Sequence, residues 1–477
     1  MELDKDLQAR QEARTLARAA REAQLVLRSF SQTQLDAICE AVSKAFWESA
    51  VELAELASRE TGFGNPEDKT TKNRFASRRV WEAVKDMKTV GVLTEDRERK
   101  LWEVAVPKGV IAAIVPSTNP TSTVCYKAII ALKAGNTIVF SPHPKAMACT
   151  LRAVQIVARA AEAAGAPKGA VSSLTIPSLE GCRELMNAKD VNLILATGGP
   201  AMVKAAYSSG KPAIGVGAGN GPAYIHESAD ISLALQQIMT SKTFDNGTVC
   251  ASEQSIIVEK PMEQRVRQEA QKQGYYFMST NEAAALAKIL FRENGALNPQ
   301  VVGRNALRLA EMAGFAVPHD TKVLVAKEEQ AGPTRPYSME KLCPVLAFYV
   351  MADTQAVLEK VVEVLSHQGA GHTFAMHCTD ESLVRRFAQT VPVSRFLVNV
   401  PAALGGIGAA THLFPALTLG CGSVGGSSSS NNISPMDLLD IRRVAWGSQA
   451  QKTECACPGE DLVELITAKI LERLNAR

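Results

Sequence analysis

The chain of 477 residues carries 52 Lys and Arg against 49 Asp and Glu, a formal charge of +3, with 46% hydrophobic and 21% charged residues. This balance is globular, long enough for two or three domains, and too even for the concentrated basic face that a nucleic-acid partner requires. Ten cysteines are spread along the chain, without the density of a secreted disulfide scaffold, so free thiols in a reducing cytoplasm are expected.

Residues 1–28 are dense in charge and lack the apolar core of a signal peptide, and no run is long enough to span a bilayer. A soluble protein without a membrane partner is expected. Residues 1 to about 60 predict helices, with Ser31 and Gln34 forming a capping box ahead of Leu35, Ile38 and Val42. From Val104 short apolar runs alternate with helical segments. Strands are expected at 110–115, 137–140, 171–176, 191–195 and 213–216, with helices at 121–132, 145–164, 179–188 and 202–207. Continuous apolar strands separated by helices indicate an α/β chain with a parallel sheet covered on both faces, and hence a doubly wound, Rossmann-like nucleotide-binding domain.

Within it, Thr197-Gly198-Gly199-Pro200 follows a strand and opens a helix, where backbone amides and the helix dipole can hold a pyrophosphate. A plain strand-to-helix turn reads the same way. The run Gly215-Val216-Gly217-Ala218-Gly219-Asn220 has the wrong spacing for a G-x-G-x-x-G fingerprint, and its glycines fit a close backbone approach beside an active site.

A second α/β region is expected from near Ser241, with strands at 255–258, 323–325, 345–350 and 396–400 and helices at 354–365 and 381–390. At its start, residues 245–254 join the helical spacing of Ile231, Leu235, Ile238 and Met239 to a β-rich run. A thiol at Cys250 on such a junction can sit at an exposed turn among backbone N–H groups, which favours thiolate and any oxyanion formed on it. A buried structural cysteine is equally compatible with the ten residues. Residues 425–432, with four serines in a row, read as a flexible surface loop. Residues 447–459 read as a linker whose Cys455-Ala456-Cys457 is too weak a pattern for a metal site. Asp461 and Glu464 then form a capping pattern for Leu462, Val463, Ile466, Ile470 and Leu474, which share one helical face.

Taken together, residues 115–122, 140–144, 195–220 and 244–254, with Glu340-Lys341-Leu342-Cys343-Pro344, Gly371-His372-Thr373 and 418–423, resemble the aldehyde dehydrogenase superfamily. Within it they resemble the CoA-acylating branch: the aldehyde dehydrogenase half of bifunctional alcohol/aldehyde dehydrogenases, and the propionaldehyde and acetaldehyde dehydrogenases of bacterial microcompartments. The resemblance covers most of residues 20 to 445. No alcohol dehydrogenase half follows, so a stand-alone enzyme is expected. The implied organisation is an NAD-binding domain with N-terminal helices over 1–240, including oligomerisation strands near 100, and a catalytic domain over 241–430. Residues 431–447 return to the first region, and 448–477 form a linker and amphipathic helix.

The same resemblance implies that Cys250 attacks the carbonyl of a short aldehyde, with the Cys250 backbone N–H and the Asn119 side chain holding the oxyanion. Asn119 could instead cap the helix after it, and Thr118 is an alternative donor. Hydrolytic members carry a glutamate that activates water, where Val216 or a neighbour stands here, so a thioester on Cys250 would await coenzyme A. His372 could serve as a base or contact CoA, or be a hydrogen-bonded histidine between a strand and its turn. For NAD, favoured over NADP, the implied contacts are Glu340 on the nicotinamide ribose, Ser141, Pro142 and His143 at the adenosine end, and Thr197, Gly198, Gly199 and Gly217 near the pyrophosphate. Glu340 could otherwise be a surface carboxylate. Propionaldehyde or acetaldehyde is the expected substrate, with sulfoacetaldehyde, a hydrolytic reaction or an idle scaffold as alternatives. A homodimer or homotetramer is implied. Residues 460–477 resemble encapsulation peptides that dock on microcompartment shell proteins, the alternative being a helix packed on its own enzyme.

Overall fold

The computed structural model describes residues 4–447 and 458–475. Met1–Thr89 with Pro107–Asp440 forms one compact unit, and Val90–Val106 with Ile441–Arg477 forms a second.

The first unit begins with the expected helices, Lys5–Leu27, Gln32–Glu48 and Ala50–Thr61, and the Ser31–Gln34 capping box is made in both directions. Ala13, Ala17 and Ala20 recur at helical spacing and pack against Val110, Ala112 and Ile194 of the first sheet. Small side chains on this stripe let the helix lie close to the strands.

That first sheet is parallel and runs in the order Val171–Ser173, Thr137–Ser141, Val110–Ile114, Leu193–Thr197, Ala213–Val216. The chain winds outward from the central strand in one direction, then returns to add strands on its other side. The crevice beyond the carboxyl ends of 110–114 and 193–197 is therefore the topological switch point, where doubly wound sheets bind ligands. Lys127, wholly buried on the crossover helix Pro120–Lys133, donates to the carbonyls of Ile114 and Leu195 at 2.8 Å each and ties these two strand ends together.

A second parallel sheet has seven strands, in the order Tyr275–Phe277, Val323–Lys327, Val345–Met351, Glu253–Glu259, Gly221–Ile225, Gly371–His377, Val393–Val398. The strand Gly221–Ile225 pairs on both sides within this sheet, so the chain passes between sheets at 216–221 rather than near residue 241. The glycine-rich stretch there lets the backbone cross without an intervening helix. Gly371–His377, absent from the sequence expectations, is buried along its whole length despite two histidines and a threonine. Pairing on both edges, not alternation, makes it a strand.

The serine run 425–432 is not the free loop its composition suggests. Ser427 and Ser428 donate through their hydroxyls to the carbonyls of Gly215 and Ala213, at 2.8 and 2.6 Å. Ala213–Val216 is an edge strand whose outward carbonyls need donors, and short hydroxyl side chains supply them.

Most of a three-stranded sheet of Val92–Asp96, Leu101–Pro107 and Leu439–Ala445 belongs to the second unit, where Trp102 lies edge-on to Trp446 at 4.8 Å. Strands near residue 100 are thus present as expected. A last helix spans Pro458–Asn475, starting before the Asp461 cap expected from sequence, and Cys455 and Cys457 lie outside the described residues. Among the described residues no helix is long and apolar enough to cross a membrane.

Candidate active site

A cavity of about 520 Å³ lies at the switch point and collects Cys250, Asn119, Ser141, Pro142, His143, Thr197, Gly198, Gly199, Gly217 and Glu340 along its walls, with Val216 among them. Of the residues expected in the site, only His372 does not line it.

Cys250 is placed by an unusual turn. The helix Ile231–Thr243 gives way to a short 3₁₀ turn, Phe244–Gly247, in which Asp245 and Asn246 adopt left-handed φ values of 48° and 51°. Residues with a side chain rarely adopt that conformation, and surrounding bonds must hold it. Here the holder is the Asp245 carboxylate. Its Oδ1 accepts the Asn65 N–H at 2.9 Å, while Oδ2 accepts Lys69 Nζ at 2.9 Å, Lys72 Nζ at 2.5 Å and the Thr248 hydroxyl at 2.7 Å. Asp245 is wholly buried, and both lysines, three apart on the helix Pro66–Arg74, are nearly so. Buried charges are costly unless paired and hydrogen-bonded, and here one carboxylate pairs with both ammonium groups. Burial pushes the Asp245 pKa up, but the two lysines and the Thr248 bond bring it below the usual carboxylate value. Burial holds Lys72 down at about 8, against the opposing pull of Asp245.

The nucleophile's surroundings correct one expectation. Cys250 is half-buried, and burial pushes its thiol up to about 12, with Glu340 and Cys421 acting the same way and Arg395 and its own backbone N–H opposing. Desolvation thus outweighs the turn's amides, and the resting group is a thiol rather than a thiolate.

The close approach expected of the 215–220 run is present. A Cβ on Gly219 would lie 1.9 Å from the Cys250 carbonyl oxygen, so only glycine fits against the nucleophile's own backbone. The Gly219 N–H donates to Glu340 Oε1 at 2.9 Å, which draws Glu340 into the cavity wall and removes the surface-carboxylate alternative. Burial raises its pKa to about 7, with the Gly219 bond pulling the other way.

Asn119 stands at the N-cap position of the helix Pro120–Lys133, yet its side chain makes no capping bond. Its Oδ1 accepts Lys72 Nζ at 2.5 Å, and its Nδ2 reaches Thr118 Oγ1 at 3.2 Å and the Thr248 carbonyl at 3.4 Å. The carboxamide therefore faces the nucleophile turn.

His372 sits wholly buried in the strand Gly371–His377, with Nδ1 2.8 Å from Thr373 Oγ1. Burial, reinforced by Arg395, drives its pKa to about 3. Such an imidazole is a weak proton acceptor near neutral pH, and its bond to Thr373 fits the hydrogen-bonded strand histidine among the alternatives.

The opposite wall is made of turns. Ser141 ends its strand and is buried with Pro142, and His143 Nδ1 accepts the Lys145 N–H at 3.1 Å to cap a short turn. Thr197 Oγ1 lies 3.4 Å from Thr418 Oγ1. Gly199 precedes Pro200 at the first position of the helix Pro200–Tyr207, and nothing lies within 4 Å of where its Cβ would be.

Lys69, Lys72 and Thr248 were not singled out from the sequence. Only Asp245, five residues before Cys250, offers a local hint, because its cationic partners lie more than 170 residues earlier in the chain.

Residues 6–295, more than half of the chain, match the model of the aldehyde dehydrogenase family. The chain belongs to the aldehyde dehydrogenase family. This aldehyde dehydrogenase is 47% identical to the structure of an acetylating aldehyde dehydrogenase from Geobacillus thermoglucosidasius, with a TM-score of 0.92 over 95% of this chain and 100% of that one. A propionaldehyde dehydrogenase from the fucose-utilisation microcompartment of Clostridium phytofermentans is 30% identical, with a TM-score of 0.82 over 91% of this chain and 98% of that one. The bifunctional aldehyde-alcohol dehydrogenase AdhE of Escherichia coli K12 is 45% identical over 439 residues, 91% of this chain and 49% of its own. The chain thus spans about half the length of the first curated relatives it matches.

The cavity of this aldehyde dehydrogenase fits NAD. Gly199 leaves open space just before a helix N-terminus, the usual seat of a pyrophosphate, and the Glu340 carboxylate on the same cavity wall is an acceptor of the kind a ribose hydroxyl needs.

Proposed function

We propose that the chain is an NAD- and CoA-dependent acylating aldehyde dehydrogenase that converts a short aliphatic aldehyde, propionaldehyde or acetaldehyde, to its acyl-CoA. The observation that carries this is a cavity lined by Cys250, Asn119 and Val216; by resemblance, Val216 or a neighbour stands in the region where hydrolytic members carry a water-activating glutamate.

The Cys250 sulfur, its proton passing to solvent, adds to the aldehyde carbon, and the carbonyl oxygen gains negative charge as a thiohemiacetal. The Asn119 amide and the Cys250 backbone N–H are the donors that would meet that oxygen. Glu340 would hold NAD at the ribose, with the Thr197–Gly199 and Ser141–His143 turns along the rest of the molecule, and the cofactor would supply the acceptor for the hydride that leaves the thiohemiacetal carbon. The resulting thioester stays on Cys250 because Val216 cannot take a proton from water. The thiolate of the second substrate, coenzyme A, then displaces Cys250 and leaves as acyl-CoA.

NADH formation from propionaldehyde, NAD and CoA is the direct test. Full activity without CoA, or after Cys250→Ala, overturns the reading.

Two further readings concern partners. The last helix exposes Leu462, Val463, Ile466, Ile470 and Leu474, which supports docking on a microcompartment shell protein and a place inside that compartment. A reporter fused to residues 448–477 should co-purify with shells; diffuse distribution overturns it. A homodimer or homotetramer is supported by the small three-stranded sheet, whose first two strands have no buried position, and light scattering of the purified protein tests it.

A further inference from the structure

We propose that Lys72 is a positioning residue that orients the Asn119 carboxamide as an oxyanion donor and locks it to the nucleophile turn. The inference rests on the oxyanion role given to Asn119 above.

The argument begins with donor and acceptor chemistry. An ammonium group has three N–H donors and no acceptor, whereas a planar carboxamide carries its oxygen on one arm and its NH₂ on the other. The Lys72 donors are all engaged: with Asp245 Oδ2 at 2.5 Å, Thr248 Oγ1 at 3.0 Å and Asn119 Oδ1 at 2.5 Å. With Oδ1 bound to a cation, a flip of the amide would set donors against donors in a buried place. The NH₂ group is therefore fixed on the other side. Its present bonds, 3.2 Å to Thr118 Oγ1 and 3.4 Å to the Thr248 carbonyl, are long, so moving it onto a developing oxyanion sacrifices little.

Thr248 gives the arrangement its second half. Its hydroxyl bonds both Lys72 and Asp245, its carbonyl faces Asn119 Nδ2, and it lies two residues before Cys250. One ammonium group thus holds the donor and the nucleophile's turn in a single frame. Lys69 has a different task, since it bonds Asp245 and the Thr118 carbonyl but not Asn119. Removing Lys72 leaves Asp245 with one cation and takes from Asn119 Oδ1 its ammonium partner, so that only the two long Nδ2 bonds hold the carboxamide.

The test is a double-mutant cycle on the full chain, with propionaldehyde, NAD and CoA. Asn119→Ala and Lys72→Met are each expected to lower kcat about 10²-fold, with the aldehyde KM changed by less than about threefold. The double variant should be no slower than Asn119→Ala alone, because Lys72 acts through the carboxamide. A Lys72→Met enzyme with kcat within about threefold of the parent, or a double variant whose losses multiply, overturns the proposal. Should Asn119→Ala itself keep its kcat, the oxyanion reading falls and this inference falls with it. Lys72→Gln keeps a neutral donor toward Oδ1 and is expected at intermediate kcat, its deficit absent in the Asn119→Ala background. A deficit that persists there overturns the proposal, and this arm suffices if Lys72→Met does not fold.

Discussion

The wall of the cavity formed by the turns 141–143 and 197–199 presents backbone, small residues, a proline and His143, whereas the wall carrying Cys250 rests on three buried charges, Lys69, Lys72 and Asp245. Holding a nucleotide is a matter of shape and aligned amides, which glycine supplies with little dependence on side chains. Stabilising charge that appears only in a transition state demands donors fixed in advance, and a buried ion cluster is a stiff way to fix them. The first wall should therefore tolerate substitution, and the second should not.

The sharpest break of that contrast is at the nucleophile. Cys250→Ala should lower acyl-CoA formation by roughly 10⁴-fold or more while the affinity for NADH, read by fluorescence titration, stays near that of the parent. Loss of NADH binding would mean that the two walls are not separable. Next in size, Asp245→Asn leaves two buried lysines without their anion. It should cost about 3–5 kcal/mol in urea unfolding, as expected when one partner of a buried ion pair is removed. An unchanged unfolding midpoint would show that the cluster is dispensable.

The charge state of the thiol gives a pH test. With its pKa near 12, the thiolate fraction of Cys250 grows about tenfold per pH unit across the neutral range, so alkylation by iodoacetamide should accelerate in step. Peptide mass spectrometry would follow it, and a plateau near pH 8 would show a thiol already activated. The smallest effect belongs to the first wall. Gly199→Ala has open space for its methyl group, so melting should be unchanged while the KM for NAD rises a few-fold, on the order of 1 kcal/mol of lost phosphate contact. A collapse of kcat instead would blur the contrast.

The first wall was the more legible in the sequence. Thr197-Gly198-Gly199-Pro200 announces its turn locally, and the strand Ala213–Val216 and helix Glu381–Thr390 fall at the expected residues, because apolar runs and turn residues act over short distances. The second wall was legible only in Cys250 and, by resemblance, Asn119. Lys69 and Lys72 look like solvated charges on a polar helix, and burial against Asp245 is a tertiary fact that no local pattern carries. Nor could a local pattern show the surroundings of His372, because a histidine's basicity depends on desolvation by strands that pair from distant parts of the chain. The boundary between the sheets was misplaced because Gly221–Ile225, with Pro222 inside it, is a weak strand by propensity and is held by its two neighbours.

The contact between Gly219 and the Cys250 carbonyl oxygen has a consequence for redesign. The segment that leaves the first sheet is in van der Waals contact with the residue that performs the chemistry, so the pocket is not assembled from interchangeable loops. A graft that brings in the 215–220 segment of a hydrolytic relative, to gain a water-activating glutamate, would also import that relative's fit against the nucleophile turn. The two segments would need to be exchanged as a pair, and retuning the outcome of the thioester is a problem of matching backbones before it is one of choosing a base.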